Sequence, residues 1–173
     1  MKPARALIAT ALGISLMLSG LTAALAADLR GEYRLDPAAS DDVKPVIDKV
    51  VASMNFITRP IARSRLAKGT KAAPTVEIAY DEREIVVTFE PKNPVRMPSS
   101  GATVSWTRED GETFQVNAQW KGAELSQTFK ASDGDRNNVF RLDPSGDKLL
   151  MLVTLSSPQL PAPVQYTLVY RRR

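Results

Sequence analysis

The sequence contains no cysteine and no histidine. Their absence removes Ser-His-Asp and Cys-His nucleophilic catalysis, His-ligated zinc, thiol redox chemistry, and haem held by thiolate or imidazole. Disulfides are excluded too, so stability must rest on burial and strand pairing. Aromatic residues make up only 6% of the chain, so the position of each one carries information. No large excess of one charge is present either. Of the 23 Lys and Arg residues, Lys2 and Arg5 open the chain and Arg171, Arg172 and Arg173 close it, against 19 Asp and Glu. The body is near neutral, and no nucleic-acid partner is expected. Long apolar runs are missing, with one exception at the start.

That exception extends from Ala6 to about Ala23, between the basic Lys2 and Arg5 and the small-x-small triplet Ala24-Leu25-Ala26. It has the layout of an export signal cleaved after Ala26. Gly13, Ser15, Ser19 and Gly20 interrupt the run, and no basic stop-transfer cluster ends it, which argues against an uncleaved anchor. No Cys follows to carry a lipid. The expectation is a signal peptide over 1–26 and one mature domain over 27–173, placed in the periplasm or the medium. Subtracting 26 from 173 leaves 147 residues, which suits a single core.

From Pro74 onward the chain reads as short runs that alternate with period two. Val76, Ile78 and Tyr80 form one set, and Ile85, Val87 and Phe89 the next. Val104 and Trp106 follow, then Phe114, Val116, Ala118 and Trp120, then Leu125, Gln127 and Phe129. Phe140 with Leu142, Leu149 to Leu155, and Tyr166, Leu168 and Tyr170 complete the series. Such alternation turns each apolar set to one side of a pleated sheet. Asp110-Gly111 and Asp133-Gly134 mark hairpins, with glycine expected to supply positive φ. Pro- and Gly-containing breaks separate the other runs. A meander this long with one apolar face must curl, because a flat sheet leaves hydrophobic surface and edges exposed. The expected fold is mainly β: an antiparallel meander barrel of about nine or ten strands.

One segment ahead of the meander differs. Val43, Val46, Ile47, Val50, Val51, Met54 and Ile57 recur at three- and four-residue spacing, the pattern of an amphipathic helix. Ser40, Asp41 and Asp42 suit its start, and Pro60 forbids smooth continuation. The expectation is one kinked helix between the first and second strands, with a second short turn from Pro60 to about Ala67. Leu29 to Asp36 reads as the first strand.

Strand, helical segment, then antiparallel meander is an order that resembles the calycins, the lipocalins and fatty-acid-binding proteins. Gly31-Glu32-Tyr33 is similar to the Gly-x-Trp of lipocalin strand one, with Tyr for Trp. Tyr166 to Arg171 resembles a closing strand with a terminal basic residue. The phrases GEYRLDPAASDD, MNFITRPIARSRL and LPAPVQYTLVYRR resemble exported bacterial lipocalin-like proteins. The resemblance implies a calycin-type barrel with Arg171 packed over Tyr33. It implies architecture rather than a ligand.

Catalysis without His or Cys would rest on carboxylates, but Glu77, Glu90, Glu109, Glu112 and Glu124 sit at strand ends or on polar faces. No catalytic residue and no cofactor are expected. Asp133, Asp135 and Asn137 have the spacing of a calcium loop, yet Asn138 replaces its glycine and Pro144 its glutamate, so no metal site is expected. Lys49, Arg59, Arg63, Arg65, Lys68 and Lys71 occur without an acid between Asp48 and Glu77. They read either as an anion-seeking patch or as cations offsetting a helix dipole.

The reading favoured is a monomeric exported barrel that binds a small apolar or amphipathic molecule. Trp106, Trp120, Phe114 and Phe129 would form the wall, Gln127 would orient the ligand, and Arg59, Arg63 or Arg65 would meet an anionic head. The alternative is an envelope-associated interaction protein with a packed core, using its basic helix or outer surface against a partner or an anionic membrane.

Overall fold

Period-two alternation folds into one antiparallel sheet of ten strands in the computed structural model, which describes residues 28–173. The expected export signal lies outside the described residues. In chain order the elements are β1 (Gly31–Leu35), α1 (Val43–Val51), α2 (Arg59–Gly69), β2 (Thr75–Tyr80), β3 (Glu84–Phe89), β4 (Val95–Pro98), β5 (Val104–Thr107), β6 (Thr113–Lys121), β7 (Glu124–Lys130), β8 (Asp135–Leu142), β9 (Lys148–Ser156) and β10 (Val164–Arg172). Strands neighbour in the order β4-β3-β2-β1-β10-β9-β8-β7-β6-β5. The first and last strands therefore pair, Tyr33 opposite Arg172 and Leu35 opposite Tyr170. This seam rolls the meander into a near-closed barrel, with β4 and β5 facing each other unpaired. The Trp106 indole Nε1 stitches that gap by donating to the Pro94 carbonyl at 3.2 Å.

The apolar phase of every strand turns inward. Tyr33, Val87, Met97, Ala118, Phe140 and Leu149 have no exposed area. A chamber wide enough for water would leave accessible area on its walls, so the middle of the barrel is filled with side chains.

The helical segment departs from one kinked helix. α1 stops at Val51, and α2 is a separate helix. Asp42 caps α1 by accepting from the Lys44 N–H at 3.0 Å. Ile47 and Val51 anchor it in the core, each contributing roughly 1.5–3 kcal/mol by burial. Ile57, read as part of the apolar stripe, is 63% exposed and outside α1. The physical reason is local: the Arg59 Nη2 donates to the Ala52 and Met54 carbonyls, both at 2.8 Å, and the Asn55 side chain accepts from the Ile57 N–H at 2.9 Å. These bonds stabilise a turn where the stripe would otherwise continue.

Two further expectations change in detail. Arg172, not Arg171, lies over Tyr33, its guanidinium carbon 5.2 Å from the ring centroid and Nη2 donating to the hydroxyl at 2.9 Å. Directly paired residues share a face, and Tyr33 pairs with Arg172. Arg171 instead bonds Asp36 at 2.7 Å. Gly111 has positive φ at 88°, as its Asp-Gly turn requires. Gly134 does not; there glycine serves close approach, because a Cβ would lie 2.6 Å from the Ser156 carbonyl oxygen.

Candidate functional site

Hairpin register brings three aromatic side chains together at one end of the barrel, the end where Gly69 of α2 meets Arg136 of β8. Trp106 pairs with Phe114 across β5–β6, and Phe129 lies on the next strand. Ring centroids are 5.9 Å apart for Trp106–Phe114 and Trp106–Phe129, and 6.1 Å for Phe114–Phe129. Phe129 is buried, while Trp106 and Phe114 are half-buried near the β5–β6 hairpin, at one mouth of the barrel. Trp120 is not part of this group. It sits at the far end of β6, 5.0 Å from the Tyr80 ring, about 20 Å of strand from Phe114 at ~3.3 Å per residue.

Directly opposite Phe129 in the β7–β8 register stands Arg136. The residue as a whole is half-buried. Nε donates to Asn138 Oδ1 at 2.8 Å, and Nη1 donates to the Gly69 carbonyl at 3.0 Å. Both acceptors are neutral, and among the described residues no carboxylate pairs with this cation. Its Nη2 makes no hydrogen bond to the described residues. Arg108 lies 5.3 Å over the Phe114 ring but is neutralised by Asp110 and Glu112. Lys92 is exposed as a whole; desolvation of its ammonium, then the fields of Arg136 and Arg108, push its pKa below the usual lysine range.

Below this mouth the interior is polar at a few points. Gln127 is fully buried, as its phase predicts. Its Oε1 accepts from Asn138 Nδ2 at 3.1 Å, and its Nε2 donates to the Met97 sulfur at 3.6 Å. The Tyr166 and Tyr170 hydroxyls are buried without a hydrogen-bond partner in the protein. Burial pushes both phenols above the usual tyrosine range, and the Arg136 charge opposes that shift. The site is thus a counter-ion-free cation beside an aromatic trio, backed by an amide pair and two unpartnered hydroxyls. That set suits an oxyanion with an apolar body.

The three predicted arginines sit elsewhere. Arg59 caps α1. Arg63 donates to Asp48 at 2.7 Å and ties α2 to α1. Arg65 is exposed on α2. None reaches the aromatic trio through a hydrogen bond. Arg136 and Asn138 were not among the expected residues. The alternation of Phe140 and Leu142, extended back by two and four residues along β8, places both on the inner face.

No family model matches this sequence, and no curated protein sequence does. Solved structures do. The REP1-NXSQ fatty acid transporter shares 22% identity over 86% of this chain and 98% of its own, with a TM-score of 0.55. Lipid binding protein 8 of Caenorhabditis elegans, without ligand, shares 13% over 83% of this chain and 94% of its own, at 0.53. Human cRBP IV shares 18% over 85% and 99%, at 0.54. The chain therefore has a lipocalin- or calycin-like fold, a near-closed barrel of ten antiparallel strands with two helices.

Proposed function

We propose that this is an exported, non-catalytic barrel that binds a small amphipathic molecule. The anionic head pairs with Arg136, and the apolar part lies against Trp106, Phe114 and Phe129. One observation carries the reading: Arg136, a half-buried residue without a carboxylate partner, pairs directly with Phe129 in the β7–β8 register. An unneutralised cation in a partly dry site favours an anion. Fold neighbours described as a fatty acid transporter and a lipid binding protein support the same ligand class. In this reading the ligand lies at the mouth, because the centre is filled, and Met97 and Met151 are the buried side chains best able to make way.

Displacement of anilinonaphthalene sulfonate from the purified mature protein tests this. Decanoate is expected to displace the dye at roughly tenfold lower concentration than decanol, and Arg136→Gln to weaken decanoate by about tenfold, or about 1.4 kcal/mol. Equal action of the acid and the alcohol would end the reading. Export is tested separately: the mature N-terminus in the exported fraction is expected at Ala27, and an intact leader there would contradict it.

A second reading has its own observation. Phe56, Ile57 and Ile61 are 78%, 63% and 55% exposed at the α1–α2 elbow, near the exposed Arg65 and Lys68. Exposed apolar side chains beside cations suit an anionic membrane surface. Sedimentation with phosphatidylglycerol vesicles is expected to retain the protein at low salt and to lose Phe56→Ser with Ile57→Ser. Equal retention by neutral vesicles would remove the charge argument.

A further inference from the structure

α2 is weakly anchored by apolar contact. None of its residues is buried, and only Ala62 and Leu66 lie partly against the core. Towards α1 it has the Arg63–Asp48 ion pair and the Arg59 capping bonds. Towards the barrel, the described residues give it one hydrogen bond, from Arg136 Nη1 to the Gly69 carbonyl at 3.0 Å. That carbonyl belongs to the last turn, where unsatisfied C=O groups carry the negative end of the helix dipole, roughly half an elementary charge. Arg136 thus leans on a helix terminus and on the neutral Asn138 amide, while its Nη2 makes no hydrogen bond to the described residues and its strand position is the one paired with Phe129.

We infer that Arg136 is a latch for α2 which an anionic head group undoes. The inference rests on the binding reading above. A carboxylate brings a full charge against the partial charge of a helix end, and its charge-assisted bonds are about twice as strong as neutral ones. A head group gripped in fork fashion by Nη1 and Nη2 draws the guanidinium off Gly69 and towards the aromatic trio. The C-terminal end of α2 then loses its hydrogen bond to the barrel. Loading loosens the lid, and by reciprocity a loosened lid favours loading. The same side chain both selects the ligand and reports its arrival to the surface helix.

Hydrogen exchange of the mature protein, with and without saturating decanoate, tests the latch. In the native protein, amides near the C-terminal end of α2 are expected to exchange about fivefold faster when loaded, the effect of one lost hydrogen bond. Those of α1 are expected to stay unchanged. Arg136→Gln is expected to show the loosened α2 without decanoate and no further response. Should that variant fail to fold, Arg136→Lys, which keeps the charge but not the fork, is expected to loosen α2 in the same way. Unchanged or slower α2 exchange, with uptake shown by dye displacement, overturns the latch and leaves binding standing. Equal α2 exchange in the native and Arg136 variant proteins without ligand also overturns it. Failure to take up decanoate overturns both.

Discussion

Asn138 serves two neighbours at once, accepting from Arg136 and donating to Gln127. A single substitution there leaves the Gln127 Oε1 unpaired in a dry interior and removes one of the two hydrogen bonds of Arg136. Asn138→Ala is expected to cost about 1–3 kcal/mol in urea unfolding. Gln127→Leu combined with Asn138→Leu removes the amide pair together and is expected to cost less than Asn138→Ala alone; an equal or larger loss would show that the pair itself stabilises the core. Tyr170 gives a second test at this scale. Burial raises its pKa above the usual tyrosine value of 10.0, so the folded state holds the proton more tightly than the unfolded state. Its contribution is fully present below about pH 10 and is lost as pH rises through the folded value. Tm is expected to fall above pH 10 in the native protein and to fall less in Tyr170→Phe; parallel curves would contradict the assignment. Gln127 was legible because the apolar residues two positions either side fix its phase. Arg136 was not, because a charge at the start of a strand looks like surface until the strand's phase is extended to it.

Elements were read well where periodicity ran long and poorly where a side chain ended them. β6, β9 and β10 follow from alternation over nine residues each. The end of α1 does not, because Arg59, eight residues beyond Val51, supplies the capping donors. Asp133-Gly134 looks like Asp110-Gly111 in sequence, yet the first glycine answers to a neighbouring backbone and the second to its own φ. Ile47 anchors α1, so Ile47→Ala is expected to cost about 2–5 kcal/mol by thermal or urea unfolding, whereas Ile61→Ala on exposed α2 should change stability by less than about 0.5 kcal/mol. The β1–β10 seam has a pH signature. The Arg171 guanidinium holds the Asp36 carboxyl below the usual value of 3.8. A folded-state pKa below the unfolded one stabilises above pH 3.8 and is lost as pH falls through the folded value. Asp36→Asn is expected to flatten the acid limb of a Tm profile; an unchanged limb would place the loss elsewhere.

At the scale of the whole molecule, alternation specified which side of each strand turns inward and therefore specified a barrel. It did not specify whether that barrel is hollow, because a sequence pattern gives direction and not volume. The interior is filled at mid-height, and half-buried aromatic side chains lie towards its ends, Trp106 and Phe114 at one and Trp120 and Tyr80 at the other. A ligand held at that mouth stabilises the folded chain by mass action, about 2.7 kcal/mol at a hundredfold excess over Kd. Decanoate is therefore expected to raise Tm in a concentration-dependent way, and decanol to do so more weakly.

The most direct test is the structure of the protein crystallised with decanoate. The account predicts the carboxylate within hydrogen-bond distance of the Arg136 guanidinium, with the alkyl chain against Trp106, Phe114 and Phe129. Decanoate seated instead between Trp120 and Tyr80, or bound with Arg136 still facing only Asn138 and Gly69, would contradict it.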